Sequence, residues 1–305
     1  MNFGGIHNTL AEMEAKLALD RVNKLRSETL LRLSTGRRVN SVEDDPVDFS
    51  IASKLKAKIA GLTQALDNVA IGLTIFNLAE GAYENIMDNL IEMKSLATQA
   101  SNSVLSTTAR QNIGDQIEQL GSDINDLAKS TTYNSVSLLD GTNLAGNLSY
   151  TFQTGDGISD TNSVNLPAVS TGQLFNDGSA GTLQTNITIS AVNNGSDPKV
   201  RGEFTISDSA SAANFSSFIT NIDSAITELN GYMNSLGIVQ NTFSTKQFSL
   251  LQSINVHTEI RSNTLDADLA KEQSENIRLQ ILQKTAVAAL AQANLQPGVI
   301  LSFIK

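Results

Sequence analysis

The sequence predicts a mainly α-helical protein: a long antiparallel helical coiled-coil rod built from both ends of the chain, with a small β-rich outer domain inserted in the middle. Apolar residues repeat at heptad spacing over stretches much longer than the roughly 8–20 residues of an ordinary globular helix. Nine of the 20 glycines lie instead between residues 141 and 210, where the heptads stop. Helices that long must pair lengthwise, because a chain of 305 residues forms no single globular core that would hold them.

The N-terminal segment predicts a helix that is buried on more than one side. Apolar residues recur at helical spacing along one face and then along a second, offset face: Leu10, Met13 and Leu17, then Leu19, Val22 and Leu25. Gly36 is expected to end this helix, with Arg32 in its last turn, where a cation interacts favourably with the helix dipole. Apolar residues on two faces imply two packing partners.

The longest heptad pattern follows a well-marked helix start. Asp45 is placed to cap this helix, and Pro46 suits its first position. One apolar stripe then continues in steps of four and three residues: Leu55, Ile59, Leu62, Leu66, Val69, Leu73, Phe76, Tyr83, Met87, Leu90 and Ala97. Glu80 and Lys94 fall in the same phase, and two interpretations are open. Polar residues at core positions can select the register of a coiled coil. Alternatively, their long side chains cover apolar surface while the charged ends reach water, which we favour.

Two further helices are predicted on either side of the chain's middle. A short one begins near Thr108, which forms a capping box with Gln111. Its apolar stripe comprises Ile113, Ile117, Leu120, Ile124 and Leu127. A much longer one keeps the heptad phase at Ile219, Ile222, Ile226, Leu229, Met233, Leu236, Phe243, Leu250 and Ile254.

The C-terminal helix is predicted to follow a break after Asn263. Asp266 and Asp268 suit a cap and a first-turn charge. They do not suit a catalytic carboxylate pair, because side chains two residues apart on a helix point in different directions. The helix then carries an alanine-rich seam: Leu279, Leu282, Ala286, Ala289 and Ala293. Pro297 and Gly298 are expected to close it.

The glycine-rich middle of the chain predicts short strands. Apolar and polar residues alternate there in three places, at residues 148–152, 187–189 and 204–206. That alternation, bounded by Ser, Thr, Asn and Gly, is typical of strands joined by turns. The division predicted is therefore residues 1–40 with 271–305 as terminal helices, 41–140 with 211–270 as the helical core, and 141–210 as the outer domain.

Composition argues against several classes of function. The formal net charge of −10 disfavours a nucleic-acid partner, since such proteins usually present a basic surface. The chain has no cysteine, which removes thiolate metal sites and thiol nucleophiles. We find no secretory signal and no apolar run of the length of a membrane helix, so no membrane partner is expected.

Candidate catalytic residues do not form a constellation. His257 and Glu259 suggest a metal site, but the zinc motif His-Glu-x-x-His requires a second histidine where this chain has Arg261. The serines lack a neighbouring base that would activate them. The sequence therefore predicts no metal, no cofactor and no enzymatic activity.

Several motifs, in the same order along the chain, resemble the bacterial flagellin family. The N-terminal ones are residues 33–41 (LSTGRRVNS), 44–46 (DDP) and 61–65 (GLTQA). Those leaving the rod are residues 133–134, 138–141 and 152–155, and the C-terminal ones are residues 265–268 (LDAD) and 290–294 (LAQAN). The resemblance implies a self-assembling filament subunit whose ends form an inner tube and whose middle faces solvent. It also implies export through the flagellar secretion apparatus, without a cleaved signal.

The resemblance implies particular partners and surfaces. The partners are further copies of the chain, the filament cap and hook–filament junction proteins, and a flagellin export chaperone. We expect the inner tube to be formed by Leu10, Met13, Leu17, Leu282, Ala286, Ala289, Leu301 and Ile304. A segment similar to the family's contact with an innate immune Toll-like receptor comprises Ile91, Glu92, Met93, Lys94, Ser95, Leu96 and Ala97, with Gln116 on the next helix.

Two alternatives stay open. A hook–filament junction protein of the same family shares the terminal helices but caps rather than polymerises. A membrane-lytic or adhesive coiled coil, from a different class, predicts an anchoring segment and no ordered filament.

Overall fold

The computed structural model describes residues 4–140, 147–176, 181–184, 186–191 and 202–303. The helices are α1 Gly4–Thr35, α2 Pro46–Ala100, α3 Thr107–Ser130, α4 Thr171–Asn176, α5 Ala212–Leu265 and α6 Leu269–Phe303. The strands are β1 Thr132–Tyr133, β2 Val136–Ser137, β3 Asn147–Gln153, β4 Thr161–Pro167, β5 Gly181–Gln184, β6 Ile187–Ala191 and β7 Gly202–Ile206. They form three antiparallel sheets, β1–β2, β3–β4 and β5–β6–β7. Long helices at both ends with a small strand-containing middle confirm the predicted fold class.

The chain divides into two compact units. One comprises residues 1–60 and 254–305, and the other comprises residues 61–253. The boundary therefore falls within α2 and within α5. We call them the terminal unit and the central unit.

In the central unit, the sequence predicted only every second residue of the buried seam of α2. Buried residues alternate in steps of three and four: Leu62, Ala65, Val69, Gly72, Phe76, Ala79, Tyr83, Ile86, Leu90, Met93, Ala97 and Ala100. Every second one was predicted, but Leu66, Leu73 and Met87 lie at the edge of the seam and are only half-buried. The sequence pattern identified one seam position in each heptad and passed over the intervening positions. Some of these are small (Ala65, Gly72 and Ala79), and others are bulky (Ile86 and Met93).

Glu80 and Lys94 therefore flank the core rather than enter it. Gln240 Nε2 donates to Glu80 Oε2 at 2.8 Å, and Lys94 Nζ lies 2.6 Å from Asp223 Oδ1. Both partners are on α5, and their order shows that α2 and α5 are antiparallel here. Both residues are half-buried beside the seam, which fits the favoured interpretation that their stems cover apolar surface.

On α5, too, only some of the residues predicted for the buried seam are buried. Ile222, Leu229 and Leu236 are buried as predicted, but Phe218 and Ala225 replace Ile219 and Ile226 at the intervening positions. The centre of the seam is a cluster of three rings. The ring of Phe243 lies 4.9 Å from that of Phe76 and 5.3 Å from that of Phe152, both edge to face.

The strands pack on the helices through aromatic residues. Phe152 brings β3 to α2 and α5, while Phe204 of β7 covers α3 at Gly121 and contacts Phe218 of α5 at 5.7 Å between ring centres. The three predicted strand segments lie in β3, β6 and β7, whereas β1, β2, β4, β5 and α4 were missed. The capping box was also misplaced, because Ser106 caps α3 and accepts from Ala109 N at 3.2 Å.

Two further expectations are wrong. α6 continues through Pro297 and Gly298 to Phe303, so the pair does not close it. α2 is long and apolar enough, by length and composition alone, to cross a membrane, although no apolar run of that length was expected. The core helix of a soluble protein meets the same criterion, and the buried residues of α2 form the seam with α5.

Candidate assembly interface

In the terminal unit, two turns are joined through their backbones. Gly36 ends α1 with a φ of 70°, a conformation that favours glycine, and its N–H donates to Arg32 O at 2.8 Å. The turn between α5 and α6 lies against it: Ala267 N donates to Gly36 O at 2.9 Å, and Arg38 N donates to Leu265 O at 2.6 Å. The N- and C-terminal motifs thus form one joint.

Side chains of the N-terminal motif hold this joint in place. The Arg38 guanidinium donates to Asp48 and, at 2.9 Å, to Thr264 O. The hydrogen bond to Asp48 is the largest cause of a raised pKa at Arg38. Asp45 caps α2 as predicted, accepting from the N–H groups of Val47 and Asp48 at 3.1 Å. The bond from Asp48 is the largest cause of the lowered pKa of Asp45.

In the loop before α2, the carboxylate of Asp44 accepts hydrogen bonds from two backbone N–H groups. Asp44 accepts from Ser41 N at 2.8 Å and from Asn40 N at 2.9 Å. The bond from Ser41 N is the largest cause of an Asp44 pKa below its ordinary value of 3.8. A carboxylate with a depressed pKa stabilises the folded state above its unfolded pKa and loses that contribution as the pH falls through the folded value.

We therefore expect the loop to open only in acid. In a titration from roughly pH 5 to pH 2, the amide resonances of Asn40 and Ser41 should shift together with a midpoint below 3.8. The Asp44→Asn variant should lack this titration while keeping an acceptor oxygen. A midpoint at or above 3.8 in the parent chain would contradict this assignment.

α1 and α6 pair in antiparallel fashion through a polar ladder. Gln283 joins both sides of the ladder, accepting from Arg26 Nη1 at 2.6 Å and donating to Asn23 Oδ1 at 2.7 Å. Further along, Arg32 Nη1 lies 3.8 Å from Glu272 Oε1. The backbones of the two helices lie close together along their length, and Leu279 of α6 is buried. Asp268 caps α6, accepting from the N–H groups of Ala270 and Lys271.

The outer faces of this pair are apolar and uncovered. Leu10, Met13 and Leu17 are 54%, 61% and 62% exposed. On α6, Leu282 and Ala289 are exposed and Ala286 is half-buried. Other exposed apolar residues were not singled out from the sequence: Leu30, Leu31, Ile277, Ile281, Val287 and Leu295. The side chain of Leu301 and the whole of Ile304 lie outside the described residues. Apolar surface of this extent marks an interaction site.

The receptor-like segment on α2 is divided between core and surface. Met93 and Ala97 are fully buried in the seam. Lys94 and Leu96 are half-buried, and Lys94 is paired with Asp223. The exposed side chains are Ile91, Glu92 and Ser95, with Gln116 on α3.

The described residues hold no cluster of three or more His, Asp or Glu that would bind a metal ion. His257 lies on α5, half-buried, and its Nδ1 makes no hydrogen bond within the part of the chain described.

Comparison with known families identifies the family to which these exposed faces belong. The family model for the bacterial flagellin N-terminal helical region matches residues 6–144, and that for the C-terminal helical region matches residues 219–304. The chain belongs to the bacterial flagellin family. The two matched regions include α1, α2, α3 and α6 and most of α5, so the joint and both exposed apolar faces lie within the family's shared regions.

Relatives match the chain from end to end. The flagellin of Bacillus subtilis is 28% identical over 98% of this chain and 99% of that protein. A flagellar filament 30.7 kDa core protein of Treponema maltophilum is 26% identical over the same shares. Among solved structures, a putative flagellar hook-associated protein of Vibrio parahaemolyticus has a TM-score of 0.55 at 12% identity, covering 73% of this chain and all of that one. This last likeness concerns the fold alone.

Proposed function

We propose that the chain is the subunit that polymerises into a bacterial flagellar filament for motility. The observation that carries the proposal is the pair of uncovered apolar faces on α1 and α6, in a chain of the flagellin family. Burial of apolar surface stabilises association by about 25 cal/mol per Å². The faces that one chain leaves exposed are thus the source of the assembly free energy.

The same faces explain how assembly continues without limit. In the proposal, the segments 1–40 and 271–305 of many copies form an inner tube, lined together by the exposed leucines and methionine of α1 and the seam of α6. Residues 41–140 and 211–270 form the surrounding wall, and residues 141–210 face outwards. An interface between unlike surfaces of identical copies does not close on itself, so it extends into a filament.

The proposed role as a filament subunit also implies particular partners. The subunit is exported through the flagellar secretion apparatus with an export chaperone, and its filament lies outside the cell between the hook–filament junction proteins and the filament cap. No enzymatic role is proposed: flagellins are structural proteins. The net charge of −10 favours neither nucleic acid nor an anionic membrane surface as a partner.

Seeded polymerisation tests this function and separates it from the alternative. Purified monomer mixed with short fragments of its own filaments should elongate them into regular filaments visible by electron microscopy. The second candidate is a hook–filament junction protein of the same family, which shares the terminal helices. A junction protein would bind filament ends and stop there. Binding without elongation would therefore replace the filament proposal by the junction one.

We predict weak recognition by the Toll-like receptor for flagellin. Glu92 is exposed where the family usually carries a basic residue, and Ser95 and Gln116 lie where acids are usual. Like-charge contacts and lost charge pairs at an interface cost several kcal/mol, so binding should be weaker by about a hundredfold or more. The measurement is a dose–response of monomer on receptor-expressing cells, beside Glu92→Arg, which should signal more strongly. Potent signalling by both proteins would refute it.

A further inference from the structure

The turn between β3 and β4 is rigid and presents an isoleucine at its tip. Thr154 N donates to Asp160 O at 2.8 Å, and Gly157 N donates to Asp160 Oδ2 at 3.0 Å. Gln153 Nε2 closes the inside of the turn by donating to Gly157 O at 2.6 Å. The side chain of Ile158 is nevertheless 100% exposed.

The turn is also tied to α2, so its tip has a defined position in the central unit. Asn68 Nδ2 donates to Gln153 O at 3.2 Å. Two turns earlier on α2, Gly61 lies so close to the loop that a Cβ added there would be 3.1 Å from Asp156 Cβ. A rigid loop loses little conformational entropy when it binds, so a fully exposed aliphatic residue on such a loop is well suited to insert into a partner. The loop sequence Asp156–Asp160 places a carboxylate on each side of that residue.

The terminal unit contains a pocket with the complementary chemistry. The pocket has a volume of about 240 Å³ and lies beside the joint between the N- and C-terminal motifs. Its apolar lining includes Val39 and Ala52, which are buried, and Phe49, which is 36% exposed. All charged residues that line it are cationic: Arg37, Lys56 and Arg261. Within the described part of the chain, no ion pair joins these three to a carboxylate.

We propose that the Ile158 loop of one copy docks into this pocket of a second copy. The isoleucine meets the apolar lining, and the flanking carboxylates meet the cationic rim. Complementary charge of this kind fixes orientation and suppresses wrong pairings. Since loop and pocket are different surfaces of the same chain, the contact is head-to-tail and open-ended, as a filament requires. The inference rests on the proposed function and names the second copy as the pocket's partner.

Cysteine cross-linking tests the contact directly, because the chain has no cysteine of its own. Ile158→Cys and Ser53→Cys are made in separate chains; Ser53 is exposed and lines the pocket. A disulfide forms only when the Cα atoms come within roughly 4.4–6.8 Å. Mixed and oxidised, the two variants should give a covalent dimer of twice 32.5 kDa that either variant alone does not give. The matched control replaces Ile158→Cys by Val104→Cys, at a position 89% exposed in the same unit, and should give no dimer.

A second variant measures the energetic role of the loop. Ile158→Asp should raise the critical concentration for polymerisation about tenfold or more, as expected for a residue anchoring an interface, while the thermal unfolding of the monomer stays unchanged. Val104→Asp should polymerise like the parent. Filaments that form without the cross-link, and with no effect of Ile158→Asp, would overturn the docking contact and leave the filament function intact. Cross-linked dimers without filaments would do the reverse, and the absence of both would overturn both.

Discussion

Removal of residues 292–305 is expected to abolish polymerisation. The antiparallel register that joins Asn23 to Gln283 places the removed segment alongside the first part of α1. That part carries Leu10 and Met13, both more than half exposed, and the deletion removes Leu295, which is 63% exposed. The shortened chain loses apolar surface of its own and the helix that supports the partner surface. Seeded elongation followed by sedimentation should yield no polymer at concentrations where the full chain polymerises completely.

The same experiment requires evidence that the shortened chain is folded. All four tyrosines, Tyr83, Tyr133, Tyr150 and Tyr232, lie in the central unit, and the chain has no tryptophan. The tyrosine bands of the near-ultraviolet circular dichroism spectrum therefore report that unit alone, and the thermal transition followed in those bands should match that of the full chain. Normal filaments from the shortened chain would show that the end of α6 plays no part in assembly.

The sequence predicted the elements of this fold better than their faces. Heptad spacing located α2 and α5, and Asp45, Pro46 and Gly36 located helix ends, because caps and breakers act within one turn. The seam was half right because only one seam position in each heptad was identified, so that both small residues and the bulky Ile86 and Met93 were passed over. Ala65, Gly72 and Ala79 carry no hydrophobic signal, and their importance appears only when the opposing helix is in place.

Only part of the candidate site could be predicted from the sequence, as was true of the helix faces. Exposed apolar faces on α1 could be predicted, since two offset stripes on one helix need two partners. The pocket beside the joint could not, because Arg261 is far along the chain from Arg37 and Lys56 and meets them only in the fold. The exposure of Ile158 was equally hidden: an isoleucine between glycine and serine carries no pattern, and only the hydrogen bonds around Asp160 make it a rigid tip.

Phe243→Ala is expected to destabilise the central unit by about 3–5 kcal/mol. The side chain is fully buried and makes edge-to-face contacts with Phe76 and Phe152, so it joins α2, α5 and the β3–β4 sheet at one point. Its removal leaves a cavity that two long helices cannot close by a local shift. The measurement is urea unfolding of the monomer followed through the tyrosines. Phe248→Ala is the matched control on the same helix, since Phe248 is 71% exposed and should change stability by no more than about 0.5 kcal/mol.

A substitution at Gly72 provides a sharper test. The effect of Gly72→Ala on the free energy of unfolding should have opposite signs in the parent chain and in the Phe243→Ala variant. In the parent chain, a Cβ on Gly72 would lie 2.7 Å from the Phe243 ring, so Gly72→Ala should destabilise despite the better helix propensity of alanine. In the Phe243→Ala background the nearest obstacle is gone. The Phe152 ring, whose Cε1 would lie 3.3 Å from the added Cβ, can shift into the cavity that Phe243 leaves. The same substitution should therefore stabilise, both by filling part of the cavity and by about 1 kcal/mol of helix propensity. A double-mutant cycle over the four proteins isolates this coupling. If Gly72→Ala had the same effect in both backgrounds, the ring would not be packed against that glycine, and the register of α2 on α5 would have to be different.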